Sequence, residues 1–385
     1  MAGAVQDLAE RPRNGNGTMT PRERILTMLR GEQPDQVPWF GDLDYWANSL
    51  IKRGLKSESF ILSDDYIQWH RDLGVGFYLQ GYFPFVQLFP NCDVKRWHEG
   101  CRKYVEIRTP LGTVRDCWEY ILTSFAEAPI EHFMKSEEDI PIMKYIYQNM
   151  RFEPDYAQAE RRRQQIGDQG VVLCYLPKSP FMNLVALEAG IETVSIAALT
   201  MPDEFNDLLD TMKKALDQAA QIAVESPAEV LMIPENLSSE MVGPDFFEQH
   251  MRDYQKEWTT KIREAGKYSF IHIDGTLAGL LRQEASVGFT VLEALTPHPV
   301  GDVKIEDFEA FTGDSQSILW GGLPGSYFTD CVSDEEFERH VKHVLSVMKR
   351  KPRFVLGVAD QVPPDGLERR VRRVAELVDE FGTYQ

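Results

Sequence analysis

Apolar residues along the chain fall into short β-branched and aromatic runs separated by longer stretches with helical spacing. Runs at 36–40, 75–80, 171–175, 229–233, 268–273, 290–295, 317–320 and 353–356 predict eight buried strands. Between them the spacing predicts helices at 63–73, 180–187, 191–199, 202–224, 244–265, 277–287, 305–311 and 366–381, and one from the Ser333 cap to Lys349. Two further helices are expected at 136–149 and 154–166. Thr20 and Glu23 form a capping box for a leading helix over 21–29, which Gly31 ends. Runs at 104–108 and 113–118, joined by Thr109, Pro110, Leu111 and Gly112, read as a β-hairpin.

Eight strands alternating with helices make the sum of a (β/α)8 TIM barrel, an α/β fold. The expected organisation is a polar, disordered leader over 1–18 and one barrel domain over 19–385. The barrel carries an N-terminal helical extension and a hairpin excursion after strand 2. An open doubly wound sheet competes with it, but would carry a Gly-rich turn after its first strand, and none follows 36–40.

Such a barrel keeps its chemistry at the carboxyl ends of its strands. Those ends present Asp42, Gln80, Glu235, His272, Asp274, Glu293, His298 and Asp360. His272 and Asp274 alternate onto one face, where imidazole and carboxylate can share a metal; alternatively Asp274 caps the following helix. Glu235 ends a strongly apolar run and is expected at a rigid position. Glu293 lies inside TVLEAL, where an unpaired charge is costly, so it needs a metal or an arginine as partner. His298 belongs either to the site or to a surface loop, and Asp360 to the site or to the turn into the last helix. Tyr45, Trp46 and Tyr78 stand among many aromatics near the first two strands; most of these are expected in the core, and a few could wall a flat ligand.

The 385 residues carry a formal charge of −19, which argues against nucleic acid as the main partner. No apolar run approaches the roughly 20 residues that span a bilayer. The first residues lack a hydrophobic signal core, so a cytoplasmic protein is expected. Five cysteines, without a CxxC pair, read as free thiols.

Four stretches resemble the uroporphyrinogen decarboxylase superfamily: MTPRERILTMLRGEQPDQVP at 19–38, PENLSSEMVGPDFFEQHM, the FIHIDG strand end and LGVADQVPPDGLERRV. The resemblance covers nearly the whole chain and implies a (β/α)8 barrel. True decarboxylases of that superfamily carry an Arg-Gln-Ala-Gly-Arg-Tyr segment whose arginines meet substrate carboxylates. The matching stretch here, FGDLDYWANSL, has no arginine and two aspartates, Asp42 and Asp44. Its other well-known branch, the cobamide-dependent methyltransferases, holds zinc with a His-x-Cys after the fifth strand and a Cys after the eighth. His272 matches the histidine, while Asp274 and Asp360 stand where the cysteines would be.

Carboxylates in place of thiolates make a harder site, suited to an oxygen-bearing substrate. The resemblance thus implies a methyltransferase that demethylates a small O- or N-methylated donor. Zinc on His272, Asp274 and one of Glu235 or Asp360 would assist, with Glu293 or His298 as proton donor and Glu235 a further catalytic candidate. Asp42, Tyr45, Trp46, Tyr78 and Gln80 would line the substrate pocket. The acceptor would be a corrinoid on a separate partner protein, because the sequence carries no corrinoid-binding signature of its own. A metal-independent decarboxylase or lyase acting on a small organic acid, and a non-catalytic ligand-binding barrel, are the alternatives. For the former, Lys178 and Arg282 are the cations nearest to strand ends. The substrate's identity and the oligomeric state stay open.

Overall fold

A computed structural model describes residues 18–79 and 82–384; the expected leader and Gln80 lie outside the described residues. Seven parallel strands pair side by side: Trp39–Phe40, Phe354–Ala359, Ile318–Pro324, Val291–Leu295, Tyr268–Ile273, Val230–Leu237 and Leu173–Tyr175. The eighth staves the gap between the two edges with single bridges. Gly76 N donates to Trp39 O (3.0 Å), Phe77 N to Gln169 O (2.9 Å) and Val171 N to Phe77 O (3.0 Å). The barrel therefore closes in sequence order, and the expected second strand contracts to these few bonds. Gly170 permits the closure: a Cβ there would lie 1.7 Å from Phe77 O.

Alternation sorts the strand residues into two apolar layers. Val230, Met232, Phe270, Val291, Ile318, Trp320, Val355, Phe40 and Tyr78 fill the lumen, and Ile25, Met28 and Leu29 of the leading helix plug its lower end. Trp320 packs against Tyr78, Phe270 and Phe40 at centroid separations of 4.4, 5.4 and 5.5 Å. The opposite strand faces, with Leu231, Ile233, Ile271, Leu292 and Leu356, pack against the surrounding helices. The leading helix Pro21–Leu29 has the Thr20–Glu23 capping box.

Several elements differ from expectation. The hairpin is the central pair of a four-stranded antiparallel meander, Asp93–Glu99, Arg102–Thr109, Gly112–Ile121 and Ala126–Glu131. Its outer strands are largely exposed, and the last of them carries cross-strand ion pairs such as Arg115–Glu131, so hydrophobic alternation does not mark them. A ribbon of Phe85–Leu88 with Arg151–Pro154 ties the excursion back to the barrel. The helix expected at 244–265 breaks at Met251 into Pro244–His250 and Arg252–Glu264. The one expected at 277–287 shrinks to Leu281–Ala285. All five cysteines are free thiols. Among the described residues, no helix is long and apolar enough to cross a membrane.

Candidate metal centre at the barrel mouth

Above the apolar lumen the same inward-facing positions turn polar. On the fifth strand Phe270 is followed two residues later by His272, and two later again by Asp274. On the sixth, Val291 is followed by Glu293. His272 and Glu293 are register partners on neighbouring strands, and His272 Nδ1 meets Glu293 Oε2 at 2.6 Å. Tyr78 donates its hydroxyl to the other oxygen, Oε1, also at 2.6 Å. Glu293 is fully buried; a histidine and a tyrosine partner it, where its sequence context suggested a metal or an arginine.

This bond has a chemical consequence. A carboxylate accepts, so Nδ1 is the nitrogen that donates to Glu293, and Nε2 is the one open to a metal, which would displace its proton. Nε2 faces Asp360 Oδ1 at 3.6 Å, beyond hydrogen-bond length. One donor atom each from His272, Asp274 and Asp360 lies within 4.8 Å of the others. Asp274 does not cap the following helix, Leu281–Ala285, which has no side-chain cap; the loop leading into it is held by Asp302, whose Oδ1 accepts from Leu277 N at 2.7 Å and whose Oδ2 accepts from Ala278 N at 3.1 Å.

Asp42 joins from the first strand. Its Oδ1 accepts from Asp44 N at 2.8 Å, while its Oδ2 is buried without a partner, as is Asp360 Oδ1. Burial, then the charges of Asp44, Asp360 and Glu293, hold the Asp42 carboxyl well above the usual carboxylate range. Burial raises Asp360 to about 6; His272 opposes that rise while Glu293 and Asp274 add to it. Burial alone would lower the His272 imidazole, and the surrounding Glu293 and Asp360 reverse it, to about 10. Four carboxyls around one imidazole leave surplus negative charge, and two orphaned oxygens lack donors. A divalent cation fits both deficits, and one nitrogen with two oxygens is a donor set that zinc accepts.

Other predicted site residues are placed elsewhere. Glu235 does not reach the cluster: Pro234 and the left-handed Asn236 (φ 54°) bracket it. Its carboxylate accepts from Ser179 N at 3.1 and 3.2 Å and lies 3.5 Å from Gln255 Nε2, in the layer between barrel and helices. The His298 ring is exposed in the loop after the sixth strand. Trp46 is core, tilted against Trp69 at 4.8 Å. Tyr45 donates to Ser124 O in the excursion. Arg282 lies on the exposed helix layer, donating to Ala310 O at 3.3 Å.

Two more residues stand at the mouth: Tyr175, which a reading of strand ends misses, and Lys178, one of the two cations that the sequence set nearest to strand ends. Tyr175 caps the lumen from the third strand; burial, then the charges of Asp42 and Glu293, push its phenol up. Lys178, two residues past the third strand's hydrogen bonds to the fourth, donates to Asn236 Oδ1 at 2.7 Å and to Pro234 O. Burial lowers it to about 8, although Glu235 and Asp274 pull the other way. A basic residue in YLPKSP was visible in the sequence; its inward turn was not.

The uroporphyrinogen decarboxylase (URO-D) family profile matches residues 128–381, so the chain belongs to that family. Among solved structures, a methyltransferase from Methanosarcina mazei superposes with a TM-score of 0.61 at 16% identity, covering 94% of this chain and 99% of that one. At that identity the agreement is one of fold, and it supports the barrel. An α-galactosidase from Lactobacillus brevis reaches only a TM-score of 0.21 at 9% identity, covering 78% of this chain and 45% of that one, and carries no argument. No curated protein matches the sequence.

Proposed function

We propose that this URO-D family member is a methyltransferase that moves a methyl group from a small O- or N-methylated compound to a corrinoid carried by a separate partner protein. The observation that carries the reading is the convergence of His272, Asp274 and Asp360 at the barrel mouth, with Glu293 behind the histidine. These three side chains would hold a zinc ion, which would supply a Lewis acid for the heteroatom that loses its methyl group.

The chain's own residues do the rest. Glu293, itself held by Tyr78, fixes the His272 ring and its tautomer. Locked between these partners, Glu293 is a positioning residue. The proton for the departing oxygen or nitrogen is better assigned to Asp42, itself fully buried, whose raised carboxyl and unpartnered Oδ2 belong to the same acidic cluster. The apolar floor of Trp320 and Tyr78 excludes water from below. The acidic mouth also disfavours a polycarboxylated porphyrinogen, which the surplus negative charge would repel. The Methanosarcina mazei methyltransferase lends the methyl-transfer reading a precedent on the same fold.

Lys178 supports a second reading, a metal-independent decarboxylase of a small acid, since it sets a buried cation at the rim. The two separate in one assay. Methyl transfer predicts that wild type, given methylated donors and a reduced corrinoid protein, converts the corrinoid spectrum to its methylated form. Under this reading His272→Ala loses at least a hundred-fold in rate and Lys178→Met keeps most of it. Full turnover by His272→Ala would sink the methyltransferase proposal.

A further inference from the structure

A cavity of about 170 Å³ lies between the excursion sheet and the helix Ile140–Asn149, and it shares no lining residue with the barrel mouth. Val105, Ile107, Phe133, Met143 and Ile146 give it an apolar wall, and Glu188 closes one side. Glu188 ends a short π-helical turn, Leu184–Glu188, that directly follows Pro180–Asn183. Such turns redirect side chains and recur at functional sites.

One oxygen of Glu188 is firmly held: Asn183 Nδ2 donates to Tyr147 Oη at 2.8 Å, and Tyr147 donates to Glu188 Oε1 at 2.6 Å. The other, Oε2, is buried and has no partner. Burial, working against the Tyr147 hydrogen bond and the nearby Asn183 amide, raises the carboxyl to about 7. Asp116 also lines the space, but its oxygens are used, by Val105 N at 3.1 Å and Trp118 Nε1 at 3.2 Å. Burying an acceptor with nothing to receive is costly, which asks for a donor from a ligand.

The surroundings define that donor. Two carboxyl groups favour a positive head over a neutral one. The apolar wall gives a bare metal ion no further oxygens, and instead accepts a hydrocarbon body. The volume is close to the roughly 150 Å³ that accommodates a benzene ring. Arg96 is the opposing charge, but it sits exposed at the rim, where solvent screens it. We propose that this cavity binds a small primary amine with an aromatic body, its ammonium donating to Glu188 Oε2.

The test titrates benzylamine into the full chain by calorimetry, with ligand-observed NMR as the second readout and benzyl alcohol as the neutral isostere. Wild type should bind benzylamine at least ten-fold more tightly than the alcohol. Glu188→Gln should weaken the amine at least ten-fold, and Val105→Phe, which fills the space, should abolish binding of both. His272→Ala should leave benzylamine affinity unchanged, which separates this cavity from the barrel mouth. Should Glu188→Gln fail to fold, Val105→Phe and the alcohol comparison still decide. Equal affinity for amine and alcohol, undiminished binding in either cavity variant, loss of binding in His272→Ala, or no binding by wild type would each overturn the proposal.

Discussion

At the scale of single residues, the relation between His272 and Glu293 does most to define the candidate site. The 2.6 Å bond assigns the ring's proton and leaves Nε2 facing Asp360. In Glu293→Gln the amide cannot hold that orientation with a charge. We expect metal affinity to fall about 10- to 100-fold, as is usual when the partner behind a ligating histidine is removed. Competition with a chromogenic chelator measures it, and circular dichroism checks that the barrel survives. Sequence alternation alone made His272 and Asp274 share a face, because strand period 2 needs no knowledge of neighbours. The partner of Glu293 was not legible, since it depends on register between two strands. Tyr45 and Trp46 were read as pocket walls by proximity to a strand end. They begin a helix, however, and helical geometry turns Trp46 into the core and Tyr45 toward the excursion.

At the scale of elements, the barrel's mouth is shaped by irregularities. Pairing slips between Ile271 and Ile273 against the fourth strand, and between Leu292 and Leu295 against the seventh. Ala294 takes a left-handed φ of 68° at the second slip. Bulges of this kind re-aim side chains next to sites. The displaced Leu295 carbonyl leaves room only for glycine opposite: a Cβ on Gly321 (φ 150°) would lie 2.4 Å from Leu295 O. Gly321→Ala should therefore destabilise by about 3 kcal/mol, a combined cost of backbone conformation and overpacking, read from the midpoint of urea unfolding. An unchanged midpoint would show that the seventh strand shifts freely. Strands and their order were legible from β-branched runs. The shortened helix Leu281–Ala285 was not, because its apolar spacing continues into a loop that Asp302 pins by two backbone N–H groups. The outer strands of the excursion were equally hidden, because both are largely exposed and the last is marked by charged residues paired across strands and not by apolar alternation.

At the scale of the whole molecule, the count of eight strands fixed the architecture, and the leading helix completes it as a plug under the lumen. Charge buried far from the mouth adds a pH dependence. Glu284 is fully buried beside Gln255, and burial raises its carboxyl to about 8. The folded state thus keeps a proton that the unfolded chain gives up near the ordinary value of 4.5. Stability from this group is complete below that value and is lost as pH climbs toward 8. Glu284→Gln, uncharged throughout, should flatten the fall in Tm between pH 5 and 8. A steeper fall would contradict the assignment. The candidate centre is likewise a property of the closed barrel, since its ligands come from the fifth and eighth strands and meet only when the sheet has formed. The most direct test is the metal content of the chain purified without chelator, wild type beside His272→Ala. The account predicts close to one zinc per wild-type chain and loss of it in the variant, with both proteins folded. A folded wild type without metal, or a variant that keeps it, would contradict the account.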